Sequence, residues 1–207
     1  KALEHNDLVW EDRHSEDLEV LGEVVWSQVE FGIDLERDDR FEEANTLHER
    51  VASRFFDHPH TPLRIEAIWA RVHQGKNLRA MNRTVEAQGI WRRLIERVDI
   101  DDPTGNVRAG AIAAQRLMAE VKSEIAGPLP AAFELEALHR RFENDPDRNV
   151  RLELAQALGF RSAMLRKLGR DREAKELDRL LVDQYTDVSH KQDVKGWYRE
   201  AQARLDS

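Results

Sequence analysis

Hydrophobic side chains recur along this chain every three to four residues, which is the spacing of one face of an α-helix. A first clear series runs through Leu18, Leu21, Val25, Val29 and Leu35, and similar series follow almost to the C-terminus. No stretch favours a β-strand over these helical series. The pattern predicts an all-α fold, with helices at about residues 15–37, 40–56, 62–81, 83–98, 103–125, 131–142, 146–168, 171–185 and 188–205.

Short proline-containing segments recur with a period of 43 to 44 residues. The three copies run from Asp57 to Arg64, from Asp101 to Arg108 and from Asn144 to Arg151, with arginines 44 and 43 residues apart, and they contain the pairs Thr61-Pro62, Asp102-Pro103 and Asp145-Pro146. Proline fits the first turn of a helix, where its missing N–H is not needed, and aspartate or threonine before it can cap the helix. We therefore expect Pro62, Pro103 and Pro146 to mark three equivalent helix starts.

Small residues recur with the same period, each followed by an alanine twelve residues later. The pairs are Gly32 and Ala44, Gly75 and Ala87, Ala119 and Ala131, and Ser162 and Ala174. Small side chains on both sides of a turn allow two antiparallel helices to approach closely. This predicts a helical hairpin present four times, at about residues 15–56, 61–98, 103–142 and 146–185, with a capping helix at 188–205. We interpret the chain as one repeat domain, part of a longer protein, with residues 2–10 as the remnant of a preceding helix.

This arrangement resembles the tetratricopeptide repeat (TPR) family over about residues 15–186. The residues that carry the likeness are Phe31-Gly32 with Leu35 and Ala44, Gly75 with Leu78 and Ala87, and Leu165, Leu168-Gly169-Arg170 and Glu173-Ala174. The period exceeds the roughly 34 residues typical of that family, and Lys122 stands where an apolar residue is usual. HEAT-type helical repeats have a similar period to this chain, but the paired small positions favour the tetratricopeptide-like alternative. The resemblance, which extends to bacterial repeat arrays with an acidic-Pro-x-x-x-x-Arg linker, implies a right-handed α-solenoid.

Composition narrows the classes of function. The 207 residues include no cysteine, which excludes disulfides, thiolate metal ligands and cysteine nucleophiles. No apolar run approaches the roughly 18 to 20 residues that cross a bilayer, so we expect no membrane partner, and the missing cysteine favours a cytoplasmic location. The net charge of −8 disfavours nucleic acid as a partner, because broad phosphate contacts need a basic surface.

The resemblance also implies a candidate binding surface, since the first helices of successive tetratricopeptide units line a concave inner wall. Carried over residue by residue, the basic and aromatic positions of that wall are Trp26, Trp69, His73, Lys76, Arg79, Arg116, Phe160, Arg166 and Lys167. Arginine binds carboxylates in a bidentate manner, so such a wall suits an acidic peptide or another anion. The alternative is that the charged residues are solvated ends of amphipathic helices and that Trp26 and Trp69 belong to the core.

No motif in the sequence indicates catalysis. The eight histidines are scattered, none forms the His-Glu-x-x-His motif of zinc proteases, and no glycine-rich phosphate loop or nucleophile elbow occurs. We therefore expect no enzyme activity, no metal and no cofactor. The favoured function is a non-catalytic protein–protein interaction module that binds a peptide or protein partner. The alternatives are a regulatory domain that senses an anionic small molecule or nucleotide, and a self-associating scaffold.

Overall fold

The computed structural model describes residues 17–206, and this part of the chain folds into nine α-helices without a strand. The helices are α1 (Leu18–Arg37), α2 (Phe41–Phe55), α3 (Thr61–Ala80), α4 (Thr84–Arg97), α5 (Gly105–Ala126), α6 (Pro128–Phe142), α7 (Arg148–Lys167), α8 (Asp171–Gln184) and α9 (Gln192–Leu205). The all-α prediction is confirmed. The helix expected at residues 2–10 lies outside the described residues.

Two helices begin two residues later than their proline pairs predict. Asp102 accepts a hydrogen bond at 2.8 Å from the backbone N–H two residues later, and Asp145 accepts an equivalent one at 2.9 Å. Each aspartate therefore closes a turn around the proline that follows it, instead of capping the helix. The N-caps of α5 and α7 are Thr104 and Asp147, so the predicted starts at the two intervening prolines are wrong.

The other helix starts follow from the same chemistry. Pro62 lies in the first turn of α3, as predicted, but the helix begins at Thr61 and its N-cap is His60, so the prediction that Thr61 caps it is wrong. Helix α6 begins at Pro128 and not at residue 131, because Gly127 with φ 86° ends α5 and a proline in a first turn sacrifices no hydrogen bond. Helix α9 begins at Gln192, four residues later than predicted, since residues 188–191 form turns.

Helices α1, α3 and α7 end in the same turn. In each, a residue with positive φ follows the helix, and the next residue, an arginine, donates its backbone N–H to a leucine carbonyl five residues earlier at 2.8 to 2.9 Å. This is the Schellman motif, which satisfies carbonyls at a helix end. The turn residues are Asp39, Asn82 and Gly169, and the bonded pairs are Arg40 with Leu35, Arg83 with Leu78, and Arg170 with Leu165. The turns therefore recur with the period of the sequence.

All eight of the paired small residues are buried, as their spacing predicts. Gly32 shows why a small side chain is required: a Cβ atom there would lie 2.5 Å from the His48 ring. Helix α1 therefore passes so close to α2 that only glycine leaves space for that ring.

The chain divides into two compact units. The first ends at Arg83 and contains α1, α2 and α3, which all pack against one another. The second begins at Thr84 and contains α4 to α9, in which each helix packs on the next and α7 also packs on α5 and α9. Among the described residues, no helix is long and apolar enough to cross a membrane.

Arginines in the second unit attach successive repeats to one another. Arg108 of α5 donates from Nε and Nη2 to Asp145 at 2.9 and 3.0 Å, and Arg151 of α7 makes the same two bonds to Asp187 at 3.0 and 2.8 Å. Bidentate arginine–carboxylate pairs fix orientation as well as distance. The recurring acidic-Pro-x-x-x-x-Arg segment is therefore a clamp between neighbouring repeats.

Candidate functional site

The nine predicted binding residues occupy different environments. Lys76 and Lys167 are exposed, Trp26 is 50% exposed, and Trp69, Arg79 and Phe160 are half-buried. The alternative that places Trp26 in the core is therefore wrong. The remaining three, His73, Arg116 and Arg166, are held by carboxylates of the protein itself.

Arg116 lies inside the second unit and is compensated there. Its Nε donates to Glu153 at 3.1 Å, and its guanidinium also pairs with Glu120. The arginine is only 9% exposed. Releasing it for an external carboxylate would break two partly buried ion pairs, which is costly.

Arg166 is committed in a similar way. It pairs with Asp178, a wholly buried residue of α8 that also accepts hydrogen bonds from Ser162 at 2.7 Å and from Arg204 at 3.0 Å. Burial by itself would raise the pKa of Asp178, but these donors hold it below its usual value. We call Asp178, Ser162, Arg166 and Arg204 the Asp178 cluster; it joins α7, α8 and α9.

Phe160 packs against the C-terminal helix. Its ring meets that of Trp197 edge to face, with 6.5 Å between centroids, and Gly159 lies directly beneath the same indole. This contact helps to hold α9 on α7.

His73 belongs to a polar cluster in the first unit that pattern analysis missed. Glu36, in the last turn of α1, is its centre. His48 Nε2 of α2 lies 2.9 Å from Glu36 Oε1, and His73 Nδ1 of α3 lies 3.0 Å from Oε2 and 3.1 Å from Oε1. Asn77, one turn further along α3, donates from Nδ2 to Oε1 at 3.0 Å. We call these four residues the Glu36 cluster.

The Glu36 cluster is enclosed. The side chain of His48 is completely buried, those of Glu36 and His73 are 11% and 14% exposed, and Asn77 is buried. The two imidazole rings are stacked at 29° with 5.5 Å between centroids. Such a site has a low local dielectric, in which each polar contact is stronger and each missing contact more costly than in water.

The charges of the Glu36 cluster are set by this enclosure. Burial alone would raise the pKa of Glu36, but the hydrogen bonds from His48 and His73, with the charge of Lys76, hold it well below its usual range. Burial lowers the pKa of His73 by more than the contact with Glu36 raises it. An ionised carboxylate thus lies against a neutral imidazole of His73. Oxygen and nitrogen donors of this kind can hold a transition metal.

A separate cleft lies in the second unit, between α4, α5 and α6. Its volume is about 360 Å³. Its lining is mainly apolar, with polar groups among it: Ile95, Gln115, Met118, Ala119, Glu134, Leu135, Ala137, Leu138 and Arg141. Glu134 pairs with Lys122 of α5, so the lysine that interrupts the apolar pattern of the third repeat forms an ion pair across the turn.

An exposed apolar stripe on α6 leads into this cleft. Leu129 and Phe133 are 44% and 57% exposed, and Ala137 is exposed where it lines the cleft. These three residues are spaced four apart and therefore lie on one helix face. We call them the α6 stripe.

The sequence does contain a signal for the Glu36 cluster. His48 lies sixteen residues after the small residue Gly32, and Trp91 and Leu135 occupy the corresponding positions of the next two repeats. The fourth repeat carries Asp178 there, so a polar residue at this position marks a repeat whose hairpin contains a buried polar pair. That comparison across repeats, and not a motif, would have found the site.

No protein-family model, no curated protein and no solved structure matches this chain. The fold and the two candidate sites therefore carry the functional argument by themselves.

Proposed function

We propose that this chain is a non-catalytic protein-interaction module of the tetratricopeptide-like class, whose hairpins continue one another as a right-handed α-solenoid. Three features support the repeat architecture: the recurring Schellman turns, the eight buried small residues, and the arginine clamps at Asp145 and Asp187. Repeats of this kind offer extended surfaces to partners.

The observation that carries the binding proposal is the α6 stripe beside its open cleft. Large apolar side chains that are exposed next to an apolar cavity are a mark of interaction sites. The stripe spans two turns of helix, or about 12 Å from Leu129 to Ala137. We infer that the partner is an amphipathic helical segment, which packs its apolar face on the stripe and inserts one anchor side chain into the cleft.

The electrostatics favour this apolar partner over the acidic peptide expected from the sequence. Arg116 and Arg166 are neutralised by internal carboxylates, which leaves Lys76 and Lys167 as exposed cations of the predicted wall. Isolated exposed lysines contribute little binding energy in salt. Burying a leucine or phenylalanine side chain contributes about 1.5 to 3 kcal/mol.

The test is fluorescence anisotropy with labelled amphipathic helical peptides, about three turns long, that differ in their anchor side chain. The double variant Leu129→Ala with Phe133→Ala should weaken binding by at least about 30-fold, given the apolar surface it removes. Val85→Ala is the matched control, since Val85 is 82% exposed on α4 and does not line the cleft.

Two outcomes would overturn the proposal. Peptides that bind the double variant as tightly as the parent chain would place the site elsewhere. The second outcome is that acidic peptides bind the α6 double variant but not the variant Lys76→Glu with Lys167→Glu. That result would place the binding site on the predicted basic wall.

A further inference from the structure

We propose that Glu36, His48 and His73 form a binding site for a divalent first-row transition metal ion, with zinc the best match. The three donors come from α1, α2 and α3, and one ligand atom of each lies within 4.8 Å of the others. Two imidazoles and one carboxylate are a donor set that holds zinc in proteins, with a fourth position for water. This site is independent of the α6 stripe and goes beyond the proposed interaction function.

The spacing of the donors fits such an ion. Zinc binds histidine nitrogen and carboxylate oxygen at about 2.0 to 2.2 Å, so neighbouring ligand atoms of a tetrahedral site lie about 3.3 Å apart. Glu36 is 2.9 Å from His48 and 3.0 Å from His73 through its nearest oxygens. The two imidazole nitrogens lie within 4.8 Å of each other, so an ion could enter once the carboxylate moves a few tenths of an ångström away from each imidazole and both rings turn toward the ion.

The kind of donor selects the kind of ion. Calcium and magnesium prefer sites made of oxygen atoms, and two of the three donors here are nitrogens. Imidazole suits zinc, copper, nickel and iron, and no cysteine is present to favour a softer ion. Zinc has no electronic preference of geometry, so it tolerates an asymmetric arrangement on three helices.

The surroundings of the donors also resemble those of a metal site. Asn77 donates to Oε1 of Glu36 and so fixes the carboxylate, as outer-shell groups do around metal ligands.

The consequence of binding is mechanical. The ligands are separated by 12 residues between Glu36 and His48 and by 37 between Glu36 and His73, so one ion would tie the three helices of the first unit together. A ligand that binds only the folded chain raises its stability in proportion to the logarithm of its concentration over Kd. Zinc at about 100 times its Kd should therefore raise the Tm by several degrees.

The experiment uses the full chain, stripped of metal with a chelator and dialysed. Isothermal titration with zinc chloride should give one site per chain with micromolar or tighter affinity. Cobalt chloride should produce the intense visible absorption of a tetrahedral ion with nitrogen and oxygen ligands. Glu36→Gln and His48→Leu should each weaken zinc binding by at least about 100-fold, more than the loss typical of an outer-shell change.

The matched control is His139→Gln. His139 is a buried histidine of the second unit that bonds to Tyr185 at 3.0 Å, and its replacement should leave zinc binding unchanged. Far-ultraviolet circular dichroism of every variant, and a peptide-binding measurement at the α6 stripe, show whether the chain is folded. If Glu36→Gln or His48→Leu fails to fold, His73→Gln replaces it with the same expected loss.

Two results would overturn the proposal. Zinc that does not bind at micromolar concentration would show that the Glu36 cluster is only a hydrogen-bonded contact. Zinc that binds equally to the parent chain and to the ligand variants would show that it sits on surface histidines.

Discussion

The Glu36 cluster and the Asp178 cluster occupy the same positions of two different repeats. Glu36 and Arg166 each lie four residues after a small residue, and each contacts a residue twelve positions later, His48 or Asp178. In both places a buried polar pair joins the two helices of a hairpin. The repeat therefore offers one geometrical position for such a pair, and the side chains decide what the pair does.

The difference lies in the donors around the carboxylate. Asp178 is bound by two arginines, whose charge does not change at any ordinary pH, and by a hydroxyl. Glu36 is bound by two imidazoles and an amide. Arginine stays protonated and does not bind a metal, whereas a neutral imidazole can offer a nitrogen lone pair to an ion. The Asp178 cluster therefore stabilises the fold at any ordinary pH, whereas the Glu36 cluster has donors that could bind a ligand.

The largest effect should come from Asp178→Ala. The substitution leaves Arg166 and Arg204 without their shared carboxylate, and removing one partner of a buried ion pair costs about 3 kcal/mol or more. Thermal denaturation followed by circular dichroism should show a Tm lower by roughly 6 to 12 °C. Hydrogen exchange should be fastest in α9, which Arg204 attaches to α8.

The matched substitution on the same helix is Glu176→Ala. Glu176 is 56% exposed and pairs with Arg172 at 3.4 Å, so its loss should change stability by less than about 0.5 kcal/mol. If the two variants had equal Tm values, the Asp178 cluster would stabilise the fold no more than an exposed ion pair does.

The next largest effect is expected for Gly32→Ala, which disturbs the Glu36 cluster and leaves the Asp178 cluster unchanged. A methyl group at Gly32 would lie 2.5 Å from Cε1 and 2.8 Å from Nε2 of His48, so the ring must move away from Glu36. Overpacking of this kind costs about 1 to 3 kcal/mol, measured as the free energy of unfolding in urea.

The control for this substitution lies in the same helix. A methyl group at Gly22 would meet no atom within 4 Å, so Gly22→Ala should stabilise α1 by about 0.5 to 1 kcal/mol through helix propensity. Stabilisation by both substitutions would show that His48 is free to move and that the Glu36 cluster is not tightly packed.

The repeat could be predicted from sequence because its determinants are local. The small residue Gly32, its partner Ala44 and the leucine before the Schellman turn all act within one hairpin, so their spacing alone reveals them. The two late helix starts could not be predicted in this way. Asp102 and Asp145 each close a turn around the following proline, and Asp147 caps α7 with its own carboxylate, whereas the side chain of Thr104 makes no capping bond to α5.

The candidate sites are harder to predict because the residues that contact one another in them are distant in the sequence. The family resemblance places His73 and Arg116 on an open wall, yet each contacts a glutamate 37 residues away, Glu36 or Glu153. Helical periodicity identifies the face on which a residue lies but not the side chain opposite it. Charge patterning therefore overstated the number of free cations, and it missed the donor set that the same contacts create.

A third carboxylate, Glu66 of α3, extends the comparison to a group for which residues 17–206 show no cationic hydrogen-bond donor. Burial, and then the charge of Glu30, raise its pKa from 4.5 to about 7. The folded chain therefore keeps this proton longer than the unfolded chain, and the contribution of Glu66 to stability is lost as the pH rises from about 4.5 to about 7.

The substitution Glu66→Gln should remove this loss of folding stability at higher pH. Above pH 7 the variant should be more stable than the parent chain by about 1 to 2 kcal/mol, a value reduced for the solvent that still reaches this half-buried group. Near pH 4 the two chains should differ little, because both are then uncharged at this position. Urea denaturation at both pH values measures the difference, and a gap that does not change with pH would contradict the raised pKa.

The smallest effect is expected for His48→Leu in the presence of a chelator, and it is the sharpest test of the comparison. The substitution removes one hydrogen bond to Glu36, which contributes about 1.5 kcal/mol, but Glu36 keeps its contacts with His73 and Asn77. It also removes the buried Nδ1 without a partner, whose desolvation costs a similar amount, and leucine is the side chain that another repeat carries at this position. The free energy of unfolding of the metal-free chain should therefore change by less than about 1 kcal/mol. A loss near that of Asp178→Ala would mean that His48 serves the fold as Asp178 does, and the distinction between a fixed cluster and a ligand site would fail.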